Sequence, residues 1–363
     1  MYKMTAAVAY GPDRPFSLEP LELGEIHEDE VLVRIQSCGI CHTDVLAKQG
    51  VLPFGLPAVL GHEGAGVVER VGSAVRKVKP GDHVVLTFDY CTKCPQCTAG
   101  HPAYCVELMP RIFSGRRMDG TSTLVDDRVT GSFFAQSSFA TRAIAREANV
   151  VPVPADVDLA LLGQLGCGIQ TGAGAVLNRL RPKPGTSIVV TGVGPVGMAA
   201  IMAAKVIGCS KIIAVDIKPQ RLSLAFELGA THVINSADAD QTDAWATLAS
   251  GLDFAVDTTA RQSVISQAFQ ALGPGGTLAM LGAGPETTVA FGCHDLIAGG
   301  RTVCGVSEGD SNPDIFIPQL IDLYKQGVFP LDRLVTRYPF EAIESACAAA
   351  ATGEVIKPVI IMN

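Results

Sequence analysis

Four cysteines fall within fifteen residues of the chain, in the pattern C-x2-C-x2-C-x7-C: Cys91, Cys94, Cys97 and Cys105. Tetrahedral zinc, closed by four thiolates, suits this spacing. An iron–sulfur cluster also takes four cysteines and is the alternative. Four ligands on one short loop leave no open coordination position, so we expect this metal to be structural.

A second group of residues has the pattern that binds a dinucleotide. The segment GVGPVG supplies Gly192, Gly194, Val196 and Gly197, and Asp216 follows about twenty residues later. The glycines allow a tight turn, a close approach to the pyrophosphate and close helix–strand packing. A carboxylate at Asp216 accepts from the ribose 2′-hydroxyl and repels a 2′-phosphate, so the sequence predicts NAD. Lys218 and Arg221 nearby keep NADP as the alternative.

Both groups need elements that hold them in place. The β-branched run 188–190 predicts a buried strand before the glycines, a helix follows to Ile207, and a second strand ends at Asp216. The stretch is apolar enough for a membrane span, but its glycines, Pro195 and Lys205 argue against one. Strands and helices continue to alternate afterwards, which indicates a parallel, doubly wound sheet. Residues 1 to about 90 contain many short strands and predict an antiparallel, partly barrel-like domain.

Length and composition restrict the class further. A chain of 363 residues suggests about two domains, and 48% hydrophobic with 18% charged residues indicates large cores. The net charge of −8 and the scattered basic residues give no footprint for nucleic acid. The N-terminal residues lack the pattern of a signal peptide. We therefore expect a cytoplasmic protein that binds no membrane, with its eleven cysteines reduced.

Taken together, the motifs resemble one family along essentially the whole chain. In order they are CHTD (41–44), GHEGAGVVERVG (61–72), the four-cysteine lobe (91–105), GCGIQTGAG (166–174) and GVGPVG (192–197). This order is similar to that of the zinc-dependent medium-chain alcohol dehydrogenases. Within them, LGQLGCGIQTGAGAV looks most like the aryl (benzyl) alcohol dehydrogenase branch.

The resemblance implies an α/β fold in which a Rossmann domain interrupts a GroES-like catalytic domain. The expected domains are 1–169 (catalytic), 170–305 (NAD-binding) and 306–363 (a return to the catalytic domain). It also implies a catalytic zinc held by Cys41, His62 and Cys167, with a fourth position open for the substrate oxygen. The cation lowers the pKa of the alcohol, and hydride passes to the nicotinamide of NAD.

The resemblance assigns the supporting roles position by position. Asp44 is expected to fix the tautomer of His62, with simple helix capping as the alternative. Glu63 matches an acid beneath the zinc, and Thr43 matches the hydroxyl that takes the alcohol proton. Three further positions match cofactor contacts: His42, Thr171 and Lys357. For Lys357 a solvated surface lysine is the alternative.

One position departs from the family's pattern. Some members carry a histidine that ends a proton relay through the ribose, and Leu46 stands there in this chain. We therefore expect protons to leave from the ribose hydroxyl directly to water.

These interpretations predict a dehydrogenase that converts primary aryl or allylic alcohols reversibly to aldehydes. An aliphatic alcohol dehydrogenase or an S-(hydroxymethyl)glutathione dehydrogenase is the alternative. The latter needs basic side chains, which Arg111, Arg116 and Arg117 offer. A nucleotide-binding protein without activity is a remote alternative. The resemblance further implies a homo-oligomer, with a dimer favoured over a tetramer.

Overall fold

The computed structural model describes residues 1–238, 245, 247–282, 284 and 288–362. It divides the chain into two compact units. Unit 1 comprises Met1–Cys167, Asn312–Asp322 and Leu331–Asn363, and unit 2 comprises Gly168–Ser311 and Leu323–Pro330.

Unit 1 is built on short strands. They are β1 (Tyr2–Ala9), β2 (Ser17–Leu23), β3 (Glu30–Gly39), β4 (Ala58–Val59), β5 (Gly64–Val71), β6 (His83–Leu86), β7 (Arg142–Arg146), β8 (Val150–Pro152), β15 (Val335–Pro339) and β16 (Lys357–Ile361). One sheet has the order β2-β1-β4, and a seven-stranded sheet has the order β15-β16-β3-β5-β6-β8 with β7 paired to β3. All pairs except β15–β16 are antiparallel, which confirms the β-rich domain that the sequence predicts.

Short helices connect these strands. They are α1 (His42–Lys48), α2 (Pro95–Thr98), α3 (Leu108–Phe113), α4 (Leu159–Leu162) and α11 (Ile343–Thr352), while α10 (Pro313–Lys325) begins in unit 1. Single 3-10 turns lie at Pro102–Tyr104, Phe133–Ala135, Glu147–Asn149, Gly163–Gly166, Leu331–Leu334 and Phe340–Ala342. The core of this unit contains buried aliphatic side chains of β3, β5 and β6 together with a group of phenylalanines.

Unit 2 contains a parallel sheet of six strands in the order β11-β10-β9-β12-β13-β14. The strands are β9 (Ser187–Thr191), β10 (Lys211–Asp216), β11 (His232–Asn235), β12 (Leu252–Asp257), β13 (Leu272–Met280) and β14 (Thr302–Gly305). The helices are α5 (Gly168–Gly174), α6 (Pro195–Ile207), α7 (Pro219–Leu228), α8 (Gln262–Gln270) and α9 (Cys293–Gly299), with a π-helical turn at Ala175–Leu180 and a 3-10 turn at Glu308–Asp310. Every strand pair is parallel, so the predicted doubly wound sheet is confirmed.

Within the described residues, no single helix is long and apolar enough to cross a membrane. The bent pair Leu159–Gly166 and Gly168–Leu180 passes that test by length and composition only.

Candidate active site and metal centres

Unit 1 brings together the three ligands that the family resemblance implies. Cys41 caps the N-terminus of α1, His62 lies just before β5, and Cys167 follows the 3-10 turn Gly163–Gly166. One ligand atom from each of these residues and from Glu63 falls within a group whose members are at most 4.8 Å apart. Cys167, more than a hundred positions from Cys41 and His62 in the sequence, therefore lies with them in a group that could hold one metal ion.

The imidazole of His62 shows how well this group fits a metal. Its Nδ1 lies 2.9 Å from Oδ1 of Asp44, and the ring is fully buried. Its Nε2 is also buried, and in the part of the chain that the structure describes it has no hydrogen-bond partner. A buried, unpaired ring nitrogen is costly unless a metal ligates it, and the bond to Asp44 selects the tautomer in which Nε2 is free to do so.

Asp44 combines the two roles that the sequence offered as alternatives. Its carboxylate accepts from the backbone N–H of Cys41 at 2.9 Å, which caps α1. It also accepts from the backbone N–H of Gly61 at 3.0 Å, and it contacts His62 as described above. With 1% of its surface exposed, Asp44 ties two of the three ligand segments to one buried carboxylate.

The electrostatics of the group favour a thiolate at Cys41. The neighbouring thiol of Cys167 lowers the pKa of Cys41 well below its usual value, and His62 lowers it further, against the effect of burial. The thiolate, not the thiol, is the form that ligates a metal. Two thiolates and one imidazole form a donor set that suits zinc.

Beneath this group lies a buried ion pair. The ammonium of Lys357 donates to Glu63 Oε1 at 2.6 Å and to the carbonyl of Ile40 at 3.1 Å. Burial raises the pKa of Glu63 to about 7, although Lys357 opposes that shift. Lys357 is only 1% exposed, so the reading of a solvated surface lysine is wrong. Its predicted contact with the cofactor stays a prediction.

The first turn of α1 carries the remaining predicted residues of unit 1. The hydroxyl of Thr43 lies 3.6 Å from Cys41 Sγ, and its side chain is half-buried. His42 is exposed beside it, and Leu46 on the next turn is half-buried. Thr43 therefore stands next to the ligand group, where a hydroxyl can contact a substrate oxygen.

A cluster of phenylalanines packs against His62, and the sequence reasoning missed it. The ring of Phe134 stacks on the imidazole with centroids 4.4 Å apart, and the ring of Phe133 lies edge-on at 5.6 Å. Phe54 and Phe113 pack against these two rings at 4.8 and 5.5 Å. We call these four residues the aromatic cluster. The signal in the sequence was the doubled phenylalanine of GSFFAQSS (131–138), after a polar loop.

The four-cysteine lobe forms the second candidate metal centre. Its four sulfur atoms lie within 4.8 Å of one another, with Cys97 Sγ 3.9 Å from Cys91 Sγ and 3.5 Å from Cys94 Sγ. Zinc–sulfur bonds of about 2.3 Å in a tetrahedron place sulfur atoms about 3.8 Å apart. Backbone N–H groups of Cys97 and Val106 lower the pKa of Cys94 to about 6, whereas burial raises the pKa of Cys97 to about 12. The spacing of the sulfur atoms is therefore the observation that fits a closed, four-thiolate zinc.

Unit 2 contains the predicted strand, glycine-rich turn, helix and second strand of the dinucleotide pattern. Gly192 has φ of +79°, Gly194 caps α6, and Val196 lies in its first turn. A Cβ on Gly197 would lie 2.0 Å from the carbonyl of Gly192, so only glycine permits this approach of helix to strand. Thr171 lies on α5.

Asp216 ends β10 and is held by the loop that it faces. It accepts from the backbone N–H groups of Val193 at 2.8 Å, Ile217 at 2.8 Å and Lys218 at 3.0 Å. Nη1 of Arg221 lies 3.8 Å from its Oδ2. The acid is thus fixed between the glycine-rich turn and the strand end, where a ribose diol is bound in this class of fold.

The three arginines that the sequence offers for binding a glutathione adduct differ in exposure and in their ion pairs. Arg111 is buried and pairs with Asp89 at 2.9 Å and Glu107 at 2.7 Å. Arg117 is also nearly buried and donates to Glu30 at 2.6 Å. Arg116 alone is substantially exposed, 4.0 Å from Asp127.

Comparison with known proteins identifies the family. A family model described as an alcohol dehydrogenase GroES-like domain matches residues 27–155, and one described as a zinc-binding dehydrogenase matches residues 195–326. The chain belongs to the zinc-dependent medium-chain alcohol dehydrogenases, and it is an oxidoreductase of that family.

Particular relatives are similar along their whole length. A geraniol dehydrogenase from Castellaniella defragrans is 43% identical over 362 residues, covering 98% of this chain and 97% of the relative. The crystal structure of benzyl alcohol dehydrogenase from Acinetobacter calcoaceticus matches with a TM-score of 0.96 at 46% identity, covering 100% of both chains. A probable S-(hydroxymethyl)glutathione dehydrogenase from Schizosaccharomyces pombe is 34% identical over 372 residues, covering 99% of this chain and 97% of the relative.

Proposed function

We propose that this chain oxidises primary aryl or allylic alcohols to aldehydes, reversibly, with NAD as the hydride acceptor. The observation that carries the proposal is the ligand group of Cys41, His62 and Cys167, whose imidazole packs against the largely buried aromatic cluster and therefore lies in apolar surroundings. A benzyl or prenyl group gains by burial in apolar surroundings, at about 25 cal/mol per Å² of apolar surface removed from water. Of the four rings, the half-buried Phe113 keeps exposed surface for such a contact. The names of two relatives, a geraniol dehydrogenase and a benzyl alcohol dehydrogenase, refer to an allylic and an aryl alcohol and support the same choice.

In the proposed reaction the residues of unit 1 have separate roles. Cys41, His62 and Cys167 would hold the catalytic zinc, and a bound zinc supplies Lewis acidity that makes the alcohol proton easier to remove. Thr43 would accept that proton, and its hydroxyl lies 3.6 Å from Sγ of Cys41, which supports this role. Asp44 keeps the His62 ring in one orientation and tautomer, and Glu63 and Lys357 balance each other's charge below the ligand group.

The proposal of NAD rests on Asp216 in unit 2. A fixed carboxylate at this strand end accepts from the ribose 2′-hydroxyl and repels a phosphate on the 2′-oxygen. Arg221, whose Nη1 lies 3.8 Å from Oδ2 of Asp216, is the residue that favours NADP as the alternative cofactor. Because the guanidinium of Arg221 already faces the Asp216 carboxylate, we expect it to bind a 2′-phosphate only weakly and NAD to be preferred over NADP.

The second candidate function is oxidation of the glutathione adduct of formaldehyde, as the name of one relative suggests. That substrate carries carboxylates, which need free basic groups for binding. Arg111 and Arg117 are engaged in buried ion pairs, so only Arg116 of the three remains available. The geometry therefore gives this candidate less support than the sequence did.

The deciding experiment is a steady-state comparison of substrates with the zinc-loaded protein. We would measure NAD reduction with benzyl alcohol, geraniol, ethanol and S-(hydroxymethyl)glutathione, and repeat the best of them with NADP. We expect the aryl and allylic alcohols to exceed ethanol by about a hundredfold in kcat/KM, which corresponds to about 2.7 kcal/mol of transition-state discrimination. Equal rates, or ethanol ahead, would refute the aryl and allylic proposal and leave the family assignment unchanged.

A further inference from the structure

The strands alone do not satisfy the backbone around His62. The carbonyl of Glu63 accepts from the N–H of Gly39, but the carbonyl of His62 and the N–H of Gly64 bond instead to the side chain of Gln136. Buried backbone groups need partners, and here an amide side chain supplies both. It bonds at the two positions where a neighbouring parallel strand would bond.

Gln136 uses its whole hydrogen-bonding capacity in this position. Its Nε2 donates to the carbonyls of His62 at 3.0 Å and Thr87 at 3.1 Å, and its Oε1 accepts from Gly64 N at 3.2 Å and Ser138 Oγ at 2.7 Å. Two carbonyls on one side and two donors on the other permit only one orientation of the amide. The residue is 2% exposed, so solvent offers no substitute for these bonds.

Thr87 continues the connection to the third ligand. Its hydroxyl donates to the carbonyl of Gly166 at 2.7 Å, and Gly166 directly precedes Cys167. Thr87 is fully buried on the strand extension after β6. Hydrogen bonds therefore run from the backbone of His62 through Gln136 and Thr87 to the residue before Cys167. We call this the ligand link.

The backbone that carries Gln136 is strained. Four residues of the segment 132–137 have left-handed φ values between 52° and 57°: Ser132, Phe134, Ala135 and Ser137. Such conformations are unfavourable for residues other than glycine and persist only where the surroundings impose them. The segment also stacks Phe134 on the imidazole of His62. The strained segment therefore contacts His62 twice, through Phe134 at the ring and through Gln136 at the backbone carbonyl.

We propose that Gln136 and Thr87 are positioning residues, which fix the separation of His62 and Cys167 through the ligand link. The inference rests on the ligand set of the proposed function. Asp44 sets the orientation of the imidazole and its place relative to Cys41. The ligand link does for Cys167 what Asp44 does for Cys41. Outer partners of this kind are worth about ten- to a hundredfold in metal affinity.

The test measures metal binding rather than turnover, so it separates failure of this inference from failure of the proposed function. Zinc in the holoenzyme is exchanged for cobalt(II), and the visible d–d bands and the rate of metal loss to a chelator are recorded. The variants are Thr87→Val, which removes only the hydroxyl, and Gln136→Met, which keeps the volume. Thr87→Ser restores the hydroxyl and serves as the rescue.

Ser37→Ala is the matched control, because Ser37 is also buried and its hydroxyl also donates to a backbone carbonyl, that of Leu159, at 2.8 Å. We expect Thr87→Val and Gln136→Met to shift the cobalt bands and to lose the Cys41–His62–Cys167 metal about ten- to a hundredfold faster. Thr87→Ser, Ser37→Ala and the four-cysteine metal should behave as in the unaltered protein. Should Gln136→Met fail to fold, Thr87→Val decides. Wild-type spectra and release rates in Thr87→Val would overturn the inference.

Discussion

At the scale of single residues, the first turn of α1 shows how closely the chemistry is packed. Cys41 offers a thiolate, Thr43 a hydroxyl and Asp44 a carboxylate that caps the helix and orients His62. The position of each residue around the helix axis decides whether its side chain lies beside the ligand group or is buried. His42, between Cys41 and Thr43, is exposed, and its predicted contact with the cofactor stays a prediction.

The role of Thr43 can be tested by removing its hydroxyl. Thr43→Val keeps the shape of the side chain but cannot accept a proton, so we expect kcat to fall by about 10²–10⁴. Zinc content should stay unchanged, because Thr43 belongs to neither predicted ligand set. Thr43→Ser should recover most of the rate. A Thr43→Val enzyme that keeps its rate would show that the proton leaves by another route.

Leu46 gives a second test at this scale. It is half-buried on α1 and offers no proton acceptor. If proton release to water limits the reaction, Leu46→His should raise kcat at the low-pH side of neutrality, down to the ordinary pKa of an imidazole, about 6.5, because the neutral ring supplies a nearby base. Leu46→Gln is a polar control that cannot titrate. Identical pH–rate profiles for all three proteins would contradict direct release as the limiting step.

Cofactor choice should depend on Asp216. Asp216→Ser removes the charge that repels a 2′-phosphate and frees Arg221, which lies 3.8 Å from it. We expect the ratio of kcat/KM for NADP to that for NAD to rise by about a hundredfold, equal to about 2.7 kcal/mol. Asp216→Asn keeps an oxygen for the loop N–H groups and should fall between the two. An unchanged ratio in Asp216→Ser would mean that other residues select the cofactor.

At the scale of elements, the contact of α5 with α6 depends on the absence of a Cβ atom at Gly172. A Cβ on Gly172 would lie 1.9 Å from the carbonyl of Val196 and 3.0 Å from Cβ of Ala199. Alanine favours a helix by up to about 1 kcal/mol relative to glycine. The clash is with backbone, which cannot move aside as a side chain can, so the contact should outweigh the propensity.

We therefore expect Gly172→Ala to destabilise the protein by about 1–3 kcal/mol and to raise the KM for NAD, since Thr171 adjoins it. The melting temperature and steady-state kinetics check both effects. Gly24→Ala is the control, because the nearest heavy atom to a Cβ at Gly24 is the carbonyl oxygen of Thr123 at 3.8 Å, an ordinary contact. Equal melting temperatures for the two variants would show that α5 and α6 separate without cost.

The elements that the sequence predicted best are those whose signal is local. The β-branched run, the glycines and Asp216 predicted β9, α6 and β10 because strand, turn and helix each have a short-range pattern. The segment 132–137 could not be predicted in this way. Its left-handed residues are not glycines, and contacts from distant parts of the chain impose their conformation.

At the scale of the whole molecule, the sequence placed the metal ligands only through family resemblance. Cys41, His62 and Cys167 are far apart in the chain, and spacing cannot group them, whereas the four cysteines of the lobe group themselves. The same limit explains Arg111 and Arg117. A sequence shows that they are basic but cannot show that Asp89 and Glu30 bury them in ion pairs.

Assembly is the last property that the fold leads us to predict. The six-stranded sheet of unit 2 ends at β11 on one side and β14 on the other, and an open edge strand tends to pair with another chain. The family resemblance implies that two copies extend this sheet. Of the two edge strands only β14 has no buried residue, whereas β11 has one, so we propose a homodimer joined along β14. Light scattering should then give twice the 37.9 kDa mass of one chain.

The two edges of the sheet provide a matched comparison for hydrogen exchange, since both are four-residue strands of one parallel sheet. Pairing along β14 protects its outward amides, while those of β11 stay open to solvent, so β14 should exchange more slowly. Dilution below the dissociation constant should remove the difference. A monomeric mass, or slower exchange at β11 than at β14, would contradict assembly through this edge.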